Sequence, residues 1–203
     1  MTTSSKRRRD GVEPVTLEAI QRAAIRLFGE KSYPQTGMRD LSERVGILPG
    51  SLYAHISSKE DLLLRIVESG IRNYTEAIAP HANATGPADE RLRGAVHAHM
   101  AVLAATREQT RVTFQQWRYL GEENRAVVIR RRQEFEALFS RIHADGVASG
   151  VFRPVVHPRV VVLGIIGALN MATDWYSPQG PLTPADIADA LADSFLQGLS
   201  TQQ

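Results

Sequence analysis

Apolar residues recur at three- and four-residue spacing through most of the chain, which is the period of an amphipathic helix. The pattern first appears after Thr16, at Leu17, Ile20, Ala24, Leu27 and Phe28. Thr16 can cap the start of this predicted helix, and the Ser-Tyr-Pro segment at residues 32–34 ends it.

Shorter patterns fill residues 36–63. A helix is predicted over residues 38–45, Gly46 suits a tight turn, and a second short helix begins at Pro49. Ser58 and Asp61 have the spacing of a capping box and open a longer helix towards residue 79. Five apolar side chains can be buried beneath the short helices: Leu41, Val45, Ile47, Leu52 and Ile56. The second short helix then keeps a polar face, which is the arrangement of a helix-turn-helix.

The remainder of the chain continues the helical pattern after a predicted loop at residues 80–87. Helices are expected over residues 88–105, 107–120, 122–149, 157–175 and 183–199. The fourth of these is strongly apolar, and Gly164, Gly167 and Ala168 favour a closely packed helix over a strand. The sequence contains no strand pairs or repeats, so the predicted fold class is all-α.

Composition narrows the functional classes. Cysteine is absent, which excludes disulfides, thiolate metal sites and a cysteine nucleophile. No apolar run reaches the roughly 18 residues of a membrane span, and no signal peptide is evident, so a soluble cytoplasmic protein is expected. Residues 1–60 hold ten Lys or Arg and seven Asp or Glu, whereas residues 61–203 hold fourteen and fifteen. The basic run at residues 6–9 fits either a phosphate contact or a solvated tail.

The stretch TGMRDLSERVGILPGSLYAHISSKEDLL resembles the DNA-binding domain of TetR-family transcriptional regulators. The stretch meets, at nearly every position, the family pattern T-x-x-[apolar]-x-x-[apolar]-A-x-x-x-G-[VI]-x-x-x-x-[LF]-Y-x-[HY]-F-x-x-K-x-x-L. The resemblance covers about residues 16–66, and the length and helical remainder also fit the family. It implies a basic tail at 1–12, a three-helix helix-turn-helix domain at 13–60, and a larger helical domain for effector binding and dimerisation at 61–203.

The resemblance also implies roles for individual residues. Arg39 would contact a base edge or a phosphate, and Pro49, Gly50 and Ser51 would start the recognition helix at the bases. Thr36 would cap the helix and contact phosphate. The remaining phosphate contacts would come from Tyr53, His55 and Lys59.

Two departures from the family pattern limit base reading. Leu48 and Pro49 occupy positions that are often polar or basic, and Ala54 is small. A proline has no N–H to donate, so direct readout is expected to depend on Arg39, Ser51 and contacts with thymine methyl groups.

The last two predicted helices expose more apolar surface than a small monomer easily covers. They are either core helices or, as the resemblance implies, a four-helix interface between two copies on a palindromic operator. An effector pocket is expected between the central helices, where each large side chain could equally be ordinary core. The candidate pocket residues are Met100, Phe114, Trp117, Arg131, Arg132, Phe135, Phe139 and Asn170.

Arg131 and Arg132 interrupt the apolar stripe of the predicted helix at residues 122–149. A buried unpaired guanidinium is costly, so these side chains must reach solvent, meet carboxylates, or bind an anionic ligand. The C-terminal half also resembles the TetR subgroup that controls fatty-acid, sterol and aromatic-acid breakdown. That resemblance implies an acyl-CoA thioester as effector, and control of a drug-efflux or detoxification gene by a hydrophobic xenobiotic is the alternative.

Other functional classes have less support. The sequence has no phosphate-binding glycine loop and no G-x-S-x-G, and no cofactor is expected. His97 and His99 are two residues apart, which places them on different sides of a helix and argues against a metal site. A non-specific architectural DNA protein would carry more than the net charge of +2. The expected function is therefore a ligand-released, dimeric repressor, not an enzyme.

Overall fold

The computed structural model describes residues 15–200, and the predicted tail at residues 1–12 lies outside them. Thr16 accepts a hydrogen bond from the backbone of Ala19 and caps the first helix, as the sequence predicts. The elements in chain order are α1 (Leu17–Lys31), α2 (Met38–Val45), α3 (Pro49–Leu52), α4 (Lys59–Asn83), α5 (Ala88–Ala105), α6 (Arg107–Gln115), a 3₁₀ turn (Trp117–Tyr119), α7 (Glu122–Ala148), α8 (Pro158–Trp175) and α9 (Pro184–Leu199). The all-α prediction is confirmed.

Two predicted boundaries are wrong. Helix α4 continues through Pro80 to Asn83, because a proline near a helix end forfeits only one backbone hydrogen bond. The helix predicted over residues 107–120 instead stops at Gln115 and becomes the 3₁₀ turn. At that break, the side chain of Gln116 forms hydrogen bonds with Phe28 of α1 and with Tyr33, which follows α1.

Helix α4 belongs to both halves of the molecule. Its first turn packs beside α1, and its length then packs against α5, α6 and α7. Helix α5 packs in turn against α9, and α7 against α8. The segment between α7 and α8 is joined to the end of α9, where Phe152 forms an isolated antiparallel bridge with Ser200. Nowhere in residues 15–200 does a helix combine the length and apolarity needed to cross a bilayer.

Candidate functional site

The helix-turn-helix is built from α2, a turn at Gly46, and α3. Gly46 adopts φ +78°, and its N–H donates to the carbonyl of Ser42, which closes α2. Leu52 and Ile56 are buried, so α3 is fixed by one side. The residues on the opposite side are exposed: Pro49, Gly50, Ser51, Tyr53 and His55. Leu48 is 76% exposed, so the least polar part of the surface lies directly before the recognition helix.

Thr36 does not have the predicted capping role. Gly37 is the N-cap residue of α2, and Asp40 accepts from its N–H at 2.7 Å. The Thr36 hydroxyl is buried and donates to the carbonyl of Ser32 at 2.8 Å. It therefore stabilises the turn after α1. Arg39, by contrast, is exposed in the first turn of α2, where a guanidinium can reach DNA.

Lys59 lies at the start of α4, but its ammonium already has partners inside the protein. Nζ donates to the carbonyls of Tyr33 at 3.0 Å and Thr36 at 2.8 Å, and it lies 4.3 Å from the centre of the Tyr33 ring. Partial burial lowers the pKa of Lys59 below its ordinary value. An ammonium has three donors, so one N–H of Lys59 remains for the predicted phosphate contact.

The second half contains a cluster of aromatic rings between α4, α5, α6 and α7. The centre of the Tyr74 ring lies 5.3 Å from Phe114 and 6.1 Å from Phe135, and Phe135 lies 5.7 Å from Phe139. Three of the predicted effector residues, Phe114, Phe135 and Phe139, are thus brought together. Edge-to-face contacts at these distances give a rigid apolar environment.

Polar groups are enclosed within this aromatic cluster. The Tyr74 hydroxyl bonds to that of Thr110 at 2.8 Å, and His99 Nε2 lies 3.2 Å from the side-chain oxygen of Asn170. His99 is completely buried, and its Nδ1 has no hydrogen-bond partner. Burial lowers the pKa of His99 to about 3, so its ring is neutral at physiological pH.

Arg131 and Arg132 have opposite environments. Arg131 is exposed and pairs with Glu134 at 3.1 Å and Glu68 at 3.6 Å, so it lies apart from the aromatic cluster. The guanidinium carbon of Arg132 lies 5.1 Å from the Trp117 ring and 5.5 Å from the Phe114 ring. Arg132 Nη1 is buried without a hydrogen-bond partner. Desolvation lowers the pKa of Arg132, opposed by the charge of Glu136.

A cavity of about 610 Å³ lies between α7 and α8. Its walls are mainly apolar, and its polar lining includes Glu136, Ser140, His143 and Arg159. The ion pair between Arg159 and Glu136 measures 2.7 Å. The volume is within the usual range for small-molecule pockets. None of the eight predicted effector residues lines this cavity, and Met100 is buried on α5.

Helix α8 has a second apolar face that points away from the described chain. Five of its large side chains, or those just before it, are exposed: Val156, Val160, Leu163, Met171 and Trp175. A Cβ added at Gly164 or Gly167 would meet nothing within 4 Å. Close helix packing is therefore possible along this face, as the predicted dimer requires.

Sequence reasoning missed several residues that the fold brings to these sites. Tyr74 and Thr110 belong to the aromatic cluster, and Gln116 and Glu60 connect the two halves. Tyr74, Thr110 and Gln116 lie on predicted helices with no motif around them, and Glu60 lies within the family motif at a position with no assigned role. Only the packing of distant helices reveals their contacts. The spacing of His97 and His99 left a surface or a core position open for each, and the fold places His99 in the buried aromatic cluster.

Models of known families match both halves of the chain. The model for bacterial regulatory proteins of the tetR family matches residues 20–66, and the model for the tetracyclin repressor-like C-terminal domain matches residues 85–199. The transcriptional repressor KstR2 of Mycolicibacterium smegmatis is 27% identical over 199 residues, covering 92% of this chain and 91% of its own.

Solved structures agree with the fold. A bacterial regulatory protein in the tetR family from Rhodococcus RHA1 gives a TM-score of 0.87 at 26% identity, covering 94% of this chain and 100% of that one. AibR, in complex with isovaleryl coenzyme A and operator DNA, gives a TM-score of 0.80 at 24% identity, with coverages of 88% and 96%. This second likeness establishes a shared fold.

Proposed function

Because the chain belongs to the TetR family of bacterial transcriptional regulators, we propose that it represses its target genes and is released from DNA by an acyl-CoA effector. Family membership confirms the predicted ligand-responsive, DNA-binding regulator, and TetR regulators bind operator DNA as dimers. Repression is proposed because the KstR2 relative is a repressor. The proposed place of action is the cytoplasm, and the proposed domain limits remain residues 13–60 and 61–203.

Operator reading is assigned to the exposed side of α3 together with Arg39. Ser51 is the polar side chain at the start of α3, and the backbone at Gly50 can approach bases closely. Tyr53, His55 and the free N–H of Lys59 would contact phosphates. Because these groups are few, most of the affinity would come from phosphate contacts and from the two copies of the motif in a dimer.

The effector class rests on Arg132. Its guanidinium lies partly buried against the rings of Phe114 and Trp117, and the buried Nη1 has no hydrogen-bond partner. An anionic or carbonyl group supplied by a ligand would satisfy this donor and offset its desolvation. The apolar cavity between α7 and α8 adjoins Glu136, one turn after Arg132, and could take an acyl chain. AibR, which has the same fold, binds isovaleryl coenzyme A.

The proposed mechanism is a change in the separation of the two recognition helices when effector binds. Two such helices must fit successive major grooves about 34–36 Å apart, so a modest rotation of each half prevents simultaneous docking. Effector binding and DNA binding then weaken each other by the same factor.

Calorimetry of the full chain against a panel of thioesters tests the effector class. The panel contains isovaleryl-, octanoyl- and palmitoyl-CoA, with free coenzyme A and free octanoate as controls. We expect micromolar binding of at least one thioester, and release of an operator duplex at the same concentrations in an anisotropy assay. No thioester binding, with release by an uncharged drug-like compound, would replace the proposal with the efflux alternative.

A further inference from the structure

The turn between α1 and α2 is held in place by a residue of the effector half. Gln116 Oε1 accepts from the N–H of Tyr33 at 2.6 Å, and Gln116 Nε2 donates to the carbonyl of Phe28 at 2.6 Å. Gln116 is 8% exposed, so water does not compete freely for these bonds. Ser32, between the two bonded residues, adopts φ +70°, a conformation that L-residues rarely adopt. The two bonds therefore fix a strained backbone segment.

Tyr33 connects this turn to the helix-turn-helix. Its carbonyl accepts from Lys59, which also bonds the carbonyl of Thr36, directly before α2. Its ring lies 5.3 Å from Phe28 and 6.1 Å from Tyr119 of the 3₁₀ turn. A displacement of Gln116 would therefore reach the start of α2 through Tyr33 and Lys59.

The other end of this connection is the aromatic cluster. Trp117 directly follows Gln116, and its ring lies 5.1 Å from the Arg132 guanidinium carbon. The 3₁₀ turn ends at a second contact between the halves, where Glu60 accepts from the N–H of Gly121 at 2.9 Å and from Asn124. Residues 116–121 thus contact the proposed effector site on one side and the DNA-binding half on the other.

We propose that Gln116 is the positioning residue that couples the effector site to the recognition helix. When effector draws Arg132 away from Trp117, the 3₁₀ turn shifts. Gln116 moves with the 3₁₀ turn and displaces the turn at residues 32–36. Gln116 itself contacts neither DNA nor effector. The inference rests on the proposed function for its effector, but the connection from Trp117 to Tyr33 exists without any effector.

A double-mutant cycle on operator binding tests this connection without effector. The duplex is selected from a random-sequence library by the wild-type protein, and its affinity is measured by fluorescence anisotropy. Gln116→Met removes both hydrogen bonds at similar volume. The N–H of Tyr33 loses its acceptor, whereas the carbonyl of Phe28 keeps the N–H of Ser32, so operator affinity should fall on the order of tenfold. Trp117→Ala should give a similar fall, and the double variant should be no weaker than Gln116→Met alone.

Gln115→Met is the matched control. Gln115 is adjacent in sequence, and its side chain donates to Asp174 within the effector half at 2.9 Å. Its effect on operator binding should be below about twofold and additive with Trp117→Ala. Additive effects of Gln116→Met and Trp117→Ala, or wild-type operator affinity in Gln116→Met, would overturn the proposal.

Hydrogen exchange provides a measurement that leaves residue 116 unchanged. In Trp117→Ala, amides of residues 29–36 should exchange about tenfold faster than in wild type, while the core of α5 stays protected. Unchanged exchange at residues 29–36 would also contradict the proposal. Neither experiment contains an acyl-CoA, so both can succeed when the thioester panel fails, and the coupling and the effector class are judged separately.

Discussion

The exposed side of α3, which is proposed to read the operator, and the aromatic cluster place their polar groups in opposite environments. On α3 the polar groups are exposed, and Leu52, with Ile56 just after the helix, is buried on the opposite side. In the cluster, His99 and Arg132 each keep a buried polar atom without a hydrogen-bond partner, surrounded by rings. The exposed surface can therefore change its specificity at little cost in stability. The cluster combines stability and ligand recognition in the same side chains, so changes there affect both.

The largest expected effect is on stability and separates the two regions directly. Phe135 is 3% exposed and contacts the rings of Tyr74, Phe114 and Phe139. Phe135→Ala should lower the free energy of unfolding by about 3–5 kcal/mol, because it leaves a cavity. Tyr53 is 56% exposed, and Tyr53→Ala should change the free energy of unfolding by less than about 0.5 kcal/mol. Urea unfolding of both variants checks this, and equal losses would refute the contrast.

The next largest effect concerns effector affinity at two neighbouring arginines. Arg132→Met should lower the affinity for the tightest-binding CoA thioester by roughly a hundredfold, since charge-assisted hydrogen bonds contribute about 1.5–3 kcal/mol each. The same variant should unfold at an equal or higher temperature, because an unpaired buried charge is removed.

Arg131→Met is the control for that comparison. Arg131 pairs with two carboxylates at the surface, so its replacement should change thioester affinity by less than about twofold. Isothermal titration and thermal melts of both variants supply the data. A loss of affinity at Arg131 equal to that at Arg132 would place the effector elsewhere.

A smaller effect is the pH dependence of stability. Burial lowers the pKa of His99 from 6.5 to about 3, so the folded state rejects a proton that the unfolded state binds. Stability is therefore complete above the unfolded pKa and is lost as pH falls below it. Between about pH 7.5 and about pH 5 the loss from this residue should reach about 2 kcal/mol.

Urea unfolding at a series of pH values isolates this contribution. His99→Gln should flatten the acid side of the stability curve, whereas His55→Gln, at an exposed position, should leave its slope unchanged. An identical slope in wild type and His99→Gln would show that protonation of His99 is not linked to unfolding.

The smallest effects distinguish two kinds of DNA contact. Ser51→Ala should alter preference among operator variants by about 1 kcal/mol with little change in stability. Lys59→Ala should weaken all sequences, reduce the salt slope by about one, and also lower the melting temperature, because two carbonyls lose their donor. Lys31→Ala, where an exposed lysine pairs with Asp40, is the control. Uniform effects of Ser51→Ala on every duplex would contradict the assignment of α3.

The sequence alone determined the family, the helical fold and the position of the helix-turn-helix, because their signals are local. The cap at Thr16, the turn at Gly46 and the spacing of Leu41, Leu52 and Ile56 are properties of neighbouring residues, and each prediction was confirmed. Thr36 was misjudged in this half, because its partner is the carbonyl of Ser32 just after the preceding helix, and Val45 and Ile47 are only partly buried.

The tertiary structure decided the rest. Arg131 and Arg132 are adjacent and chemically identical, and only the packing of α7 on its neighbours exposes one and partly buries the other. Gln116 bonds residues 83 and 88 positions away, a distance at which helical periodicity carries no information. Periodicity reports which face of a helix is apolar, whereas the partner of that face is set by the packing of the whole chain.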